Sequence, residues 1–119
     1  MQSPVKTLPA NAEQKIRFNK FVLEEDTFAR DAFILQNETI GHLELVNHLS
    51  NQVKVRVSAD VPAWGIWSTA DKKAPFVCLE PWYGRCDKED FEGELSEREY
   101  MQSLESGEEF TGGYLMELL

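Results

Sequence analysis

The sequence has few basic residues for its size, and this shortage excludes several classes of partner. Its 119 residues contain 12 lysines and arginines against 21 aspartates and glutamates, for a formal net charge of −9. Binding to a phosphate backbone needs clustered basic side chains that replace counterions, and docking on anionic lipid needs them too. The composition therefore predicts no nucleic-acid partner and no membrane partner, which leaves neutral small molecules or proteins.

Long apolar runs and cysteines are also scarce. No apolar run approaches the ~20 residues that span a bilayer, and residues 1–10 have no apolar core of a signal peptide. The two cysteines, Cys78 and Cys86, do not have the spacing of metal ligands, and two thiols in such a chain fit a reducing compartment. We therefore expect a cytoplasmic protein without a bound metal.

The chain does contain enough apolar surface for a packed domain. Hydrophobic residues make up 42% of it, with seven phenylalanines, three tryptophans and three tyrosines, which argues against disorder. Residues 1–15 hold two prolines and small polar residues, and they are predicted to be a leader or linker. Residues 16–119 are predicted to form the folded domain.

The clearest local pattern is at residues 52–58, where three valines alternate with polar residues, as in a strand with one buried face. Leu43, Leu45 and Leu49 precede it, and residues 48–51 have the composition of a turn, so this region predicts a hairpin. Further short strands are predicted at residues 16–23, 32–35, 64–68, 76–80 and 110–118.

Two local features modify this β pattern. Gly112 and Gly113 weaken the last strand and predict a bulge there. Ser96 followed by Glu99 matches a capping box, which predicts a short helix whose apolar stripe ends at Leu104. Six or seven short strands with one helical segment predict an all-β fold, an antiparallel β-sandwich with one short helix.

One segment combines residue types that suggest chemistry. An apolar strand ends at Glu80, and Pro81, Trp82 and Arg85 follow closely. Because proline has no N–H and biases the preceding residue toward extended backbone, we expect the chain to leave the sheet just after Glu80. On residue chemistry alone, Glu80 is either a general base beside aromatic rings or a loop carboxylate that pairs with Arg85.

The segment Ala-Pro-Phe-Val-Cys-Leu-Glu-Pro-Trp-Tyr-Gly, residues 74–84, resembles the strand that carries the catalytic glutamate of aldose 1-epimerases, and it is similar to the bacterial branch of galactose mutarotase-like proteins. Three other stretches resemble that family in the same order. Residues 31–35 resemble its sugar-binding aspartate and the following strand, residues 64–68 its strand before the glutamate, and residues 106–110 its turn into the last strand. The resemblance covers about residues 16–119.

The resemblance implies a galactose mutarotase-like β-supersandwich and the interconversion of α and β anomers of a sugar, with no metal or organic cofactor. Glu80 is then the catalytic base, and a histidine protonates the ring oxygen. Asp31 is expected to bind sugar hydroxyls, while Trp82 and Trp67 offer rings to the sugar's C–H face, with core packing as the alternative for Trp67. Arg85 is expected to bind either Glu80 or a substrate phosphate.

The sequence departs from this family in length and in its histidines. Family members are much longer, and their catalytic histidine lies upstream of anything in this chain. His42 and His48 both fall in the predicted hairpin, and neither matches the family's histidine motif. We therefore expect a C-terminal fragment that is weakly active or inactive alone. Such a fragment should pair with a missing N-terminal half, associate with a second copy, or form a smaller sandwich by itself. The alternatives are a non-catalytic carbohydrate-binding β-sandwich module and a purely structural β-sandwich.

Overall fold

The structure is a computed structural model, and it describes Lys20 and residues 22–36, 40–71 and 73–119. The predicted leader at 1–15 and most of the predicted first strand lie outside these residues. In the described part of the chain, the regular elements are strands β1 (Phe33–Gln36), β2 (His42–Val46), β3 (Val53–Ser58), β4 (Ala63–Trp67), β5 (Cys78–Trp82) and β6 (Leu115–Leu118), with a 3-10 turn at Leu95–Glu97.

The six strands form two antiparallel three-stranded sheets. The first sheet has the order β1-β4-β5, and the second has the order β2-β3-β6. The predicted all-β, antiparallel class is confirmed. Consecutive strands do not always pair, since β4 joins β1 across the intervening hairpin.

The hairpin of β2 and β3 is also confirmed, and its turn is closed by two asparagines. Asn47 donates its backbone N–H to the Gln52 carbonyl at 2.8 Å, and its side-chain oxygen accepts from the N–H groups of Leu49 and Ser50. Asn51 has a φ of 56°, a left-handed conformation that asparagine tolerates better than most residues. The turn composition therefore determines where the hairpin reverses.

The second sheet has one apolar and one charged face, as the alternation in β3 predicts. Val57 is buried on the apolar face. On the other face, Arg56 lies between two carboxylates on the neighbouring strands, with guanidinium–carboxylate distances of 2.8 Å to Glu44 and 3.5 Å to Glu117. Such exposed cross-strand pairs contribute little stability each, but they specify which residues lie opposite one another.

The first sheet contains most of the buried apolar side chains. Ile34 of β1 and Trp64 and Ile66 of β4 are buried, and Phe28 packs edge-on against Phe33 at a ring distance of 5.7 Å. The Trp64 indole N–H donates to the Ile40 carbonyl at 3.0 Å, so the polar edge of this buried ring is satisfied.

The expectation that the chain leaves the sheet after Glu80 is wrong. Strand β5 continues through Pro81 to Trp82, with Glu80 opposite Gly65 and Pro81 opposite Trp64. This is compatible with proline because β5 is an edge strand of its sheet, where the missing N–H can face away from the neighbouring strand. Glu80 is therefore in the middle of a strand and not at its end.

The predicted helix is reduced to the 3-10 turn, which begins earlier than expected. Its capping interaction is made by Glu94, whose N–H donates to the Glu97 carboxylate at 2.6 Å, instead of by Ser96. The chain cannot continue as a helix because Arg98 is extended, with a ψ of 135°, and Tyr100 has a φ of 63°.

The last strand is shorter than predicted. Gly112 and Gly113 precede β6, so they form no bulge within it. Gly112 instead lies against the Tyr83 ring: a Cβ added there would be 2.8 Å from its Cε2 atom. Within the described ranges, no helix has the length and apolar character needed to cross a membrane.

Candidate functional site

Glu80 is half-buried in the middle of the edge strand β5. The indole N–H of Trp82 donates to its Oε2 atom at 3.0 Å. Residues two apart in a strand share a face, which explains why these two side chains meet. Among the described residues, Trp82 supplies the hydrogen bond that the carboxylate accepts, so Oε1 is left without a protein donor.

Gly65 lies against the side chains of Glu80 and Trp82. A Cβ added at Gly65 would lie 2.5 Å from Cζ2 of Trp82 and 3.1 Å from Oε2 of Glu80. Real Cβ atoms essentially never approach another heavy atom as closely as 2.5 Å, so the position accepts no side chain unless the indole moves. Sequence reasoning missed Gly65, although a glycine inside an apolar strand is itself a sign of close approach by another group.

Trp67 and Cys78 extend the same surface. They lie opposite each other in the β4–β5 pair, on the same side of the sheet as Gly65, Glu80 and Trp82. We call these five residues the Glu80 face. The Trp67 ring packs against Phe76 at 5.8 Å between centroids, tilted by 48°. Three predicted site residues, Glu80, Trp82 and Trp67, are thus on one face.

The pKa of the Cys78 thiol depends on its burial and on the charge of Glu80. Burial raises the pKa of Cys78 above its ordinary value, and the negative charge of Glu80 raises this pKa further. Cys78 and Cys86 are both free thiols, and Cys86 is exposed. Both effects disfavour the thiolate form of Cys78.

Arg85 has other partners than the predicted ones. Its side chain is only 2% exposed and forms an ion pair with Glu99, while its Nη1 donates to the side chain of Gln36 at 3.1 Å. The guanidinium carbon lies 5.6 Å from the ring centre of Tyr100. The expected pairing with Glu80 is wrong, because Glu99 and Gln36 reach the guanidinium instead. The binding of a substrate phosphate stays a prediction.

Asp31 lies apart from the Glu80 face. It precedes β1, and its side chain accepts a hydrogen bond from the Ala32 N–H at 2.7 Å. The strand register puts Ile34 level with Gly65 and Glu80, whereas Asp31 lies before β1 and outside the paired residues of the sheet. A direct contact between Asp31 and a sugar is still a prediction.

Both histidines of the sequence lie in the hairpin of the second sheet. His42 is an exposed residue of β2, with its Nε2 3.8 Å from Glu44, and His48 is exposed in the turn. Neither belongs to the sheet that holds Glu80. Neither histidine is therefore a strand neighbour of Glu80.

An open cleft of about 840 Å³ lies beside the C-terminal end of β5. Tyr83, which follows β5, lines it together with Gln102, Phe110 and residues 58–62. Glu80 does not line this cleft. The Glu80 face and the cleft are thus separate features. They are adjacent in the chain, because Trp82 belongs to the Glu80 face and the next residue, Tyr83, lines the cleft.

Comparisons of the chain with known protein families, with curated proteins and with solved structures found no match.

Proposed function

We propose that the chain is the C-terminal part of an aldose 1-epimerase-like carbohydrate isomerase in which Glu80 is the catalytic base. The observation that carries this proposal is the half-buried Glu80 carboxylate on an aromatic sheet face, with one oxygen bonded to Trp82 and the other without a donor among the residues that the structure describes. In this reaction, Glu80 takes the proton of the anomeric hydroxyl while an acid protonates the ring oxygen. The ring opens, the aldehyde carbon rotates, and closure on its other side gives the second anomer.

The surroundings of Glu80 suit a sugar. A pyranose has an apolar C–H face and polar edges, and the rings of Trp67 and Trp82 on the Glu80 face are partners for the former. The net charge of −9 favours a neutral sugar over a phosphorylated one, because the anionic protein repels a negatively charged phosphate group. No metal or organic cofactor takes part in this mechanism.

We propose that the missing acid comes from outside this chain, as a histidine of an N-terminal half or of a second copy. The apolar face of the second sheet supports this, because it is covered at Val57 but open at the neighbouring strand β6, where Met116 is 55% and Leu118 is 80% exposed. A completed sandwich would cover such side chains.

The free thiols of Cys78 and Cys86 fit a reducing location, which we propose to be the cytoplasm.

The test is the rate of anomer exchange, measured by NMR on freshly dissolved α-glucose and α-galactose. We expect a weak acceleration above the buffer rate that disappears in Glu80→Gln and persists in Glu89→Gln, which changes an exposed carboxylate in a loop. Equal rates for Glu80→Gln and the unmodified chain would contradict a role for Glu80 as the base.

The second candidate function is a non-catalytic sugar-binding module. The location of both histidines in the second sheet favours it, since a base without its acid can retain binding and lose turnover. Sugar-dependent quenching of tryptophan fluorescence with no change in anomer exchange would identify this function. A chain that responds in neither experiment is a structural β domain.

A further inference from the structure

The Trp82 indole is held in a position that only a glycine at residue 65 permits. A Cβ added there would lie 2.5 Å from Cζ2 and 2.9 Å from Cε2 of the ring. Among the described glycines, Gly107 is the one with a positive φ, so the backbone at Gly65 does not itself require glycine. The reason for glycine at this position is the space that the indole occupies.

This position puts the polar edge of the ring onto Glu80. The indole N–H donates to Oε2 at 3.0 Å, and a hydrogen bond to a charged acceptor is stronger than one between neutral groups. A glutamate side chain has several rotatable bonds, and a base acts efficiently only when it is held in a productive geometry. The carboxylate is held through Oε2, and its Oε1 atom, which accepts no hydrogen bond from the described residues, can take a proton.

We propose that Trp82 is a positioning residue that orients the Glu80 carboxylate, and that Gly65 sets the position of its ring. The catalytic part of this inference rests on the proposed function, whereas the coupling of the three residues does not. This role is separate from the proposed contact of the Trp82 ring with the sugar, because it uses the indole N–H and not the ring face.

The coupling is measured in the ¹⁵N-labelled chain, whose three tryptophans give three indole N–H signals. Trp82→Phe identifies the Trp82 signal by its loss. Glu80→Gln should move that signal upfield, because the charged acceptor is replaced by a neutral one. The Trp64 signal should stay in place, since this indole donates to the Ile40 carbonyl.

Gly65→Ala supplies the second arm, because the added methyl group displaces the ring while Trp82 itself is unchanged. We expect the Trp82 signal to move as it does in Glu80→Gln. Gly41→Ala is the matched control: an added Cβ there meets no atom within 4 Å, so all three signals should stay unchanged. If Gly65→Ala does not fold, Glu80→Gln decides alone. A Trp82 signal that ignores Glu80→Gln overturns the proposal.

Kinetics separate a positioning role from a sugar platform. Trp82→Phe keeps a ring but removes the N–H, so it should lower kcat about tenfold with little change in KM, the loss expected of one orienting hydrogen bond. A raised KM with unchanged kcat would instead assign Trp82 to sugar binding and overturn the positioning role. If the unmodified chain shows no anomer exchange while the indole signal responds to Glu80→Gln, the proposed function fails and the coupling stands.

Discussion

Tyr83 and Gly113 exchange two hydrogen bonds: the Gly113 N–H donates to the Tyr83 hydroxyl at 3.0 Å, and this hydroxyl donates to the Gly113 carbonyl at 3.4 Å. The Tyr83 ring also packs edge-on against Phe110, with 5.0 Å between ring centres. Tyr83 follows β5 of the first sheet, and Gly113 precedes β6 of the second sheet. These contacts therefore connect the strand of Glu80 to the C-terminal segment.

Tyr83→Phe should test this connection. The change removes both hydrogen bonds and keeps the ring, so we expect a loss of about 0.5–1.5 kcal/mol in the free energy of unfolding, measured by urea denaturation. Tyr114→Phe is the matched control. Tyr114 is 64% exposed, so removing its hydroxyl group should have little effect on the free energy of unfolding. An equal loss in both variants would argue against the connection.

Glu99 should matter through its buried partner and not through its exposed one. It pairs with Arg85, whose side chain is 2% exposed, and its Oε2 lies 3.1 Å from Nζ of the more exposed Lys88. Glu99→Gln weakens the partner of a buried guanidinium, so we expect a loss of about 1.5–3 kcal/mol in the free energy of unfolding. Lys88→Gln should change it by less than about 0.5 kcal/mol. The reverse order of the two losses would contradict this assignment.

The two thiols should differ in reactivity. The thiolate is the nucleophile, and the raised pKa of Cys78 lowers its thiolate fraction near pH 8. Iodoacetamide should therefore label Cys86 before Cys78, as followed by peptide mass mapping. Glu80→Gln removes the negative charge that raises the pKa of Cys78, so labelling of Cys78 should become faster while Cys86 is unaffected. An unchanged Cys78 rate would show that burial alone controls this thiol.

Self-association should depend on β6 if a second copy covers it. Leu118→Lys puts a charge on the open end of the apolar face, so it should shift the sedimentation profile toward the monomer. Leu49→Lys is the control, since Leu49 is 94% exposed in the hairpin turn and is not part of β6. A monomeric unmodified chain would favour an N-terminal half over a second copy as the missing cover.

The sequence predicted what depends on neighbouring residues. The alternating valines of β3 and the asparagine-rich turn before it determine the hairpin, and both are local signals. The pairing of β4 with β1 on one side and β5 on the other has no local signal, because it joins segments separated by the whole hairpin. Antiparallel class was therefore predictable, and sheet membership was not.

The candidate site shows the same division. Glu80 and Trp82 were identified from their sequence and share a face because they are two residues apart. Gly65 was missed because its role depends on a ring from another strand. For Arg85, the sequence offered Glu80 or a substrate phosphate as the partner, whereas the side chain contacts Glu99 and Gln36, which are 14 and 49 residues away.

Pro81 in the edge strand β5 affects the side on which a further strand can pair with the first sheet. A further strand added beside β5 would find no backbone donor at Pro81, whereas β1 at the opposite margin contains no proline. Any additional polypeptide that enlarges this sheet is thus expected to join next to β1. Glu80 would then keep its place at the outer border of the sheet, accessible from the side.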